Sequence, residues 1–85
     1  MGIQIYTKDN CMFCKKAKAW FLENNIPNEE IDCSSVDAFS AMKAKVPGAT
    51  TVPQIIIDGN IIGGWDVLEA HQGPILKKLR ETYPA

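Results

Sequence analysis

Apolar and polar positions alternate imperfectly over Ile3-Gln4-Ile5-Tyr6-Thr7, a β-rich run that predicts a first strand, and the polar turn Lys8-Asp9-Asn10 ends it. The period then changes. At about 100° per residue, Phe13, Cys14, Ala17, Trp20 and Phe21 share one stripe while Lys15, Lys16 and Glu23 lie off it, which predicts a helix facing a sheet. Asn24-Asn25-Ile26-Pro27 stops that helix, and Glu29 to Cys33 returns as a strand parallel to the first, closing a βαβ unit. Ser34 with Asp37 three residues on resembles a capping box, and Val36, Phe39, Met42 or Lys43, and Val46 continue at helical spacing until Pro47-Gly48. Gln54 to Asp58 and Ile61 to Gly63 read as strands of an antiparallel hairpin around Asp58-Gly59-Asn60. Gly63-Gly64 breaks the second of them. Trp65 to Gln72 predicts a short helix with Gly73 as its stop, and Pro74 starts a last helix with Ile75, Leu76, Leu79 and Tyr83 inward. The order is βαβαββαα, an α/β fold.

The 85 residues hold no polar linker, so residues 1–85 are expected to form a single domain. Nine Lys and Arg are scattered among ten Asp and Glu, which leaves no basic field for nucleic acid or an anionic membrane. No apolar run approaches the roughly 20 residues of a membrane span, and Met-Gly leads into the first strand without a signal-peptide pattern; the expected setting is cytoplasmic. There a Cys pair is more often catalytic or metal-binding than a structural staple.

That pair is Cys11-Met12-Phe13-Cys14, at the junction of strand and helix. Ligands of open α/β sheets collect beyond the carboxyl ends of the strands, where the Thr7 to Cys11 turn belongs. Unpaired N–H groups at the helix start favour a thiolate at Cys11, and Lys8 adds positive charge. Cys14 lies one turn on, inside the apolar stripe, so it should be the more buried thiol and the less acidic one. Cys11 is then the attacking group and Cys14 the resolving one. Zinc held by Cys11, Cys14, Cys33 and His71 is the rival, but no second closely spaced ligand pair accompanies the first. Cys33 is expected to pack at a strand end and His71 to cap the short helix. In Thr51-Val52-Pro53-Gln54 the proline forces Val52 into an extended shape, with backbone groups able to pair with a peptide.

Cys11-Met12-Phe13-Cys14 after a strand, Thr51-Val52-Pro53-Gln54 and Gly63-Gly64-Trp65-Asp66 together closely resemble the dithiol glutaredoxins over nearly the whole chain. The resemblance implies a thioredoxin-like fold, a four-stranded mixed sheet flanked by helices, with a cis-proline at Pro53. It implies glutathione-dependent reduction of protein disulfides and glutathione mixed disulfides, by a monomer with no metal. Its glutathione site would comprise Lys8, Cys11, Phe13, Thr51, Val52, Pro53, Gly64, Trp65 and Asp66. The cysteinyl part would pair with Val52, the γ-glutamyl carboxylate would meet the helix start at Gly64-Trp65-Asp66, and Asp66 would take the ammonium group. Lys8, Lys43 and Lys45 are candidates for the glycyl carboxylate. Two alternatives stay open: an electron carrier for ribonucleotide reductase reduced by thioredoxin reductase, and a carrier of an iron-sulfur cluster held by Cys11 and glutathione in two subunits. Three positions depart from the family pattern. Met12 stands where proline is usual, Val67 where a second acidic residue is frequent, and Trp65 is larger than the usual residue.

Overall fold

A computed structural model describes residues 2–84. Its elements are β1 (Ile3–Thr7), α1 (Met12–Glu23), β2 (Glu29–Asp32), α2 (Val36–Lys45), β3 (Gln54–Ile57), β4 (Asn60–Gly63), α3 (Trp65–Ala70) and α4 (Gln72–Leu79). The strands form one mixed sheet in the order β2-β1-β3-β4, with β1 parallel to β2 and antiparallel to β3, and β3 antiparallel to β4. This is the thioredoxin-like arrangement implied by the sequence.

Two-residue periodicity in β1 and β3 divides the core between the faces of the sheet. Ile3, Ile5, Ile55 and Ile57 join Phe21 of α1 and Leu68 of α3 on one side. Tyr6 and Ile56 turn the other way, towards Met42 and Val46 of α2. The Trp20 indole N–H donates to Gln72 Oε1 at 3.0 Å, tying α1 to α4. Partly buried Ile75, Leu76 and Tyr83 close over the first cluster, as their spacing predicts.

The end of α1 shows how the sequence terminates a helix. Asn25 takes a positive φ of 57°, the Asn25 N–H donates to Leu22 O at 3.1 Å, and the Ile26 N–H reaches back to Phe21 O at 2.9 Å. Those two bonds satisfy carbonyls that the helix leaves over, and burial of Ile26 beside Phe21 completes the motif. In the β3–β4 hairpin, Ile57 pairs with Asn60 across Asp58 and Gly59, which have φ of 50° and 81°. Positive φ at both central residues is the type I′ geometry that matches the twist of the strands, and the Asp-Gly pair adopts it readily.

Four local expectations are corrected. The cap of α2 is Ser35, whose Oγ accepts the Ala38 N–H at 3.1 Å. Ser34 is engaged elsewhere: its hydroxyl donates to Asp32 Oδ1 at 2.6 Å and accepts the Asp9 N–H at 3.2 Å. Gly73 stops nothing, because α3 ends at Ala70 with His71 as its C-cap and α4 begins at Gln72. Pro74 then occupies the first turn of α4, where a missing N–H costs no helical bond. Phe13 leaves the stripe and is 55 % exposed, and Val36, at the start of α2, is also exposed. Helical angle alone does not say where along its axis a helix meets the sheet. Strand ends move by a residue: β2 stops at Asp32, although the Cys33 N–H still donates to Thr7 O, and β3 stops at Ile57 while β4 starts at Asn60.

Candidate active site

The turn after β1 brings Cys11 to the N-cap of α1, with Asn10 in the left-handed region at φ 56° and Cys11 itself extended. Cys11 and Cys14 form a disulfide with Cα atoms 5.2 Å apart, as expected of two residues one helical turn apart. Their environments differ as predicted: Cys14 is 2 % exposed and Cys11 is half-buried at the surface. The Cys14 N–H points at Cys11 Sγ at 3.2 Å, and the Lys15 N–H donates to Cys11 O at 3.2 Å. On reduction, a backbone donor aimed at Sγ at a helix start favours the thiolate of Cys11 over its thiol. The Val52 carbonyl oxygen stands 3.7 Å from Cys11 Sγ, and the Val52–Pro53 peptide bond is cis.

Two grooves flank the cysteines. One, of about 410 Å³, is lined by Phe13, Lys16, Thr51, Val52, Pro53, Gly64, Trp65, Asp66 and Glu69. It gathers seven of the nine residues that the sequence nominated for glutathione, and the exposed ring of Phe13 forms one of its walls. Gly64 is the N-cap of α3 and leaves room there: a Cβ would stand 3.1 Å from Asp66 Oδ1 and 3.5 Å from Pro53 O. Trp65 is half-buried, packing on the core as well as lining the groove. Val67 turns back over Gly63, where an added Cβ would lie 3.3 Å from its Cγ2.

Lys8 is not in this groove. It lines the second one, of about 350 Å³, with Cys11, Cys14, Lys15, Lys18, Glu30 and Asp32 among its neighbours. Lys43 lies over the ring of Phe39, its Nζ 5.4 Å from the centroid, and neither Lys43 nor Lys45 lines either groove. The cation of the first groove is Lys16, which sequence reasoning placed only off the apolar stripe. Lys16 follows Phe13 by three residues and its Nζ lies 5.7 Å from that ring, so recognising Phe13 as a groove wall would have found it. Glu69, one turn after Asp66, was missed in the same way.

Cys33 is buried on the α2 side of the sheet, and its thiol is pushed up by burial and then by Asp32. His71 caps the end of α3. Among the described residues no three His, Cys, Asp or Glu side chains are grouped to hold a metal ion. No helix there is long and apolar enough to cross a membrane.

In the second groove Glu30 Oε2 accepts the Thr7 hydroxyl at 2.7 Å and the Lys18 ammonium at 3.0 Å. These two bonds, Thr7 first, hold the Glu30 carboxyl below the usual glutamate range. A lowered carboxyl stabilises the fold above its unfolded pKa of about 4.3, and loses that contribution as pH falls through the folded value. Because Glu30 is 45 % exposed, solvent screening keeps the contribution under about 1 kcal/mol. Urea titrations of Glu30→Gln are expected to show that small deficit at neutral pH and its disappearance in acid.

A family model for glutaredoxin matches residues 3–62. Glutaredoxin 3 of Escherichia coli K12 is 39 % identical over 81 residues, covering 89 % of this chain and 98 % of the relative. Among solved structures, glutaredoxin 1 of Francisella tularensis, complexed with cacodylate, superposes with a TM-score of 0.80 at 35 % identity, over 88 % of this chain and 95 % of that one. A buckwheat glutaredoxin-glutathione complex superposes with a TM-score of 0.75 at 25 % identity, over 91 % and 77 % of the two chains.

Proposed function

Because this chain belongs to the glutaredoxin family of thiol-disulfide oxidoreductases, we propose that it works with glutathione, reducing protein disulfides through both cysteines and glutathione mixed disulfides through Cys11. The observation that carries this reading is the groove beside Cys11, in which Val52-Pro53, Gly64-Trp65-Asp66 and the Phe13 ring face one space. Its support is chemical as well as familial: the buckwheat relative holds glutathione in a similar fold. The cysteinyl backbone pairs with Val52 and the γ-glutamyl ammonium meets Asp66, while Thr51 and Trp65 bound the tripeptide.

The Cys11 thiolate attacks one sulfur of a substrate disulfide, the other sulfur leaves as a thiolate and takes a proton, and a mixed disulfide remains on Cys11. With glutathione in that mixed disulfide, a second glutathione thiolate attacks its sulfur, giving glutathione disulfide and regenerating Cys11. With a protein in it, Cys14 attacks Cys11 Sγ, the protein thiol leaves, and two glutathione molecules later reduce the Cys11–Cys14 pair. A reducing compartment, the cytoplasm in the first place, supplies that reductant.

A glutathione-reductase-coupled assay with a low-molecular-weight glutathione mixed disulfide and with a protein disulfide tests the reading. Turnover is expected with glutathione. Turnover with thioredoxin reductase and none with glutathione would reject it. Lys16, rather than Lys43 or Lys45, supplies positive charge in the groove, so Lys16→Glu is expected to raise KM for the glutathione mixed disulfide about fivefold, the equivalent of roughly 1 kcal/mol. Steady-state kinetics checks this, and an unchanged KM would remove Lys16 from the site.

A further inference from the structure

We propose that Lys18 is a positioning residue that sets the ionisation of Cys14, and so the pH at which the resolving step runs, with Glu30 and Thr7 holding its ammonium group in place. This rests on Cys14 as the resolving thiol of the proposed function. The resolving step needs a thiolate from a side chain that is 2 % exposed, and burial disfavours the charged form. The helix start offers Cys14 little help, since its own N–H is directed at Cys11 Sγ. What remains is the groove that Cys14 lines.

The charged groups facing that groove are Lys8 and Asp9 of the turn after β1, Lys15 and Lys18 of α1, and Glu30 and Asp32 of β2. Asp32 accepts both the N–H and the hydroxyl of Ser34. Lys8 and Lys15 make no ion pair among the described residues and are exposed. Lys18 alone of the three lysines is fixed, at 3.0 Å from Glu30 Oε2, and that oxygen is itself held by Thr7 at 2.7 Å. Lys18 also follows Cys14 by four residues, so it stands over it on the next turn of the same face. Lys16, Asp66 and Glu69 face the other groove, which Cys14 does not line.

In the step itself the Cys14 proton passes to water in the groove and its sulfur attacks Cys11 Sγ. The bond from Cys11 to the substrate sulfur breaks, the substrate half leaves as a thiolate that takes a proton, and the cysteine pair is left oxidised as the disulfide seen here. A fixed ammonium group raises the thiolate fraction of Cys14 at neutral pH. Glu30 orients that cation and opposes its field, so changes at the two residues act in opposite directions.

The test measures Cys14 alone. In Cys11→Ser protein without glutathione, alkylation of Cys14 by iodoacetamide is followed against pH, with the Cys14 peptide resolved from the buried Cys33 by mass. Adding Lys18→Met is expected to move the midpoint to higher pH and to slow alkylation below it about two- to fivefold, with no loss of the high-pH plateau. Lys18→Arg keeps the midpoint, and Glu30→Gln moves it to lower pH. An unmoved midpoint in Lys18→Met, a slowing that persists at the plateau, or an equal alkaline shift in Glu30→Gln would overturn the proposal. None of these readouts depends on glutathione, so the result stands apart from the coupled assay.

Discussion

Serine in place of Cys11 is expected to lower both protein-disulfide reduction and deglutathionylation by about a thousandfold or more, whereas serine in place of Cys14 removes the first and keeps the second within about tenfold. The asymmetry follows from where the two sulfurs sit. Cys11 caps α1, is half-buried at the surface, and has the Cys14 N–H directed at its Sγ and the Val52 carbonyl beside it. Cys14 is nearly closed off, so an external disulfide reaches Cys11 and not Cys14. Serine keeps the size of the side chain but replaces a thiolate by a hydroxyl that stays protonated at neutral pH and cannot carry the mixed disulfide. Parallel rates with a protein disulfide and a glutathione mixed disulfide decide the matter. Comparable loss of deglutathionylation in the two variants would show that the cysteines do not divide the work.

The largest effect on stability is expected at Phe21. Its side chain is fully buried, meets Trp20 edge to face with ring centroids 5.0 Å apart, and joins α1 to the sheet and to Ile26. Phe21→Ala should cost about 3–5 kcal/mol, through lost burial and the cavity left behind. For a domain of this size that lowers Tm by at least about 12 °C and consumes much of its total stability. Thermal unfolding followed by circular dichroism measures it, and a fall of only a few degrees would mean that the core closes around the gap.

Legibility in the sequence followed the physical reach of each signal. β1 emerged with both ends right because its apolar run meets a polar turn at once, and all eight elements came in the correct order. Cys14 was correctly assigned as the buried thiol because angle around a helix axis decides it. The same angle misplaced Phe13, since the first turn of α1 faces a groove and not the core. Ser34 carries the capping-box pattern with Asp37, but its hydroxyl is engaged by neighbouring Asp32 and by Asp9, which pairing of β2 with β1 brings near, and the cap falls to Ser35. Seven of the nominated glutathione residues share a groove, yet Lys8 and Cys11 line the other one, and Lys16, which was not nominated, lines this one. Side-chain charge can be counted along a chain, but the side of the active centre on which it falls depends on packing of α1 against its neighbours.

The strand β2 lies at the rim of the sheet, hydrogen-bonded on one side only, and its sequence is Glu29-Glu30-Ile31-Asp32. Three carboxylates on four consecutive residues make that open backbone a poor template for a second copy, because pairing would bring like charges together. The acidic rim disfavours edge-to-edge pairing between copies, and two of its carboxylates, Glu30 and Asp32, at the same time face the groove that Cys14 lines.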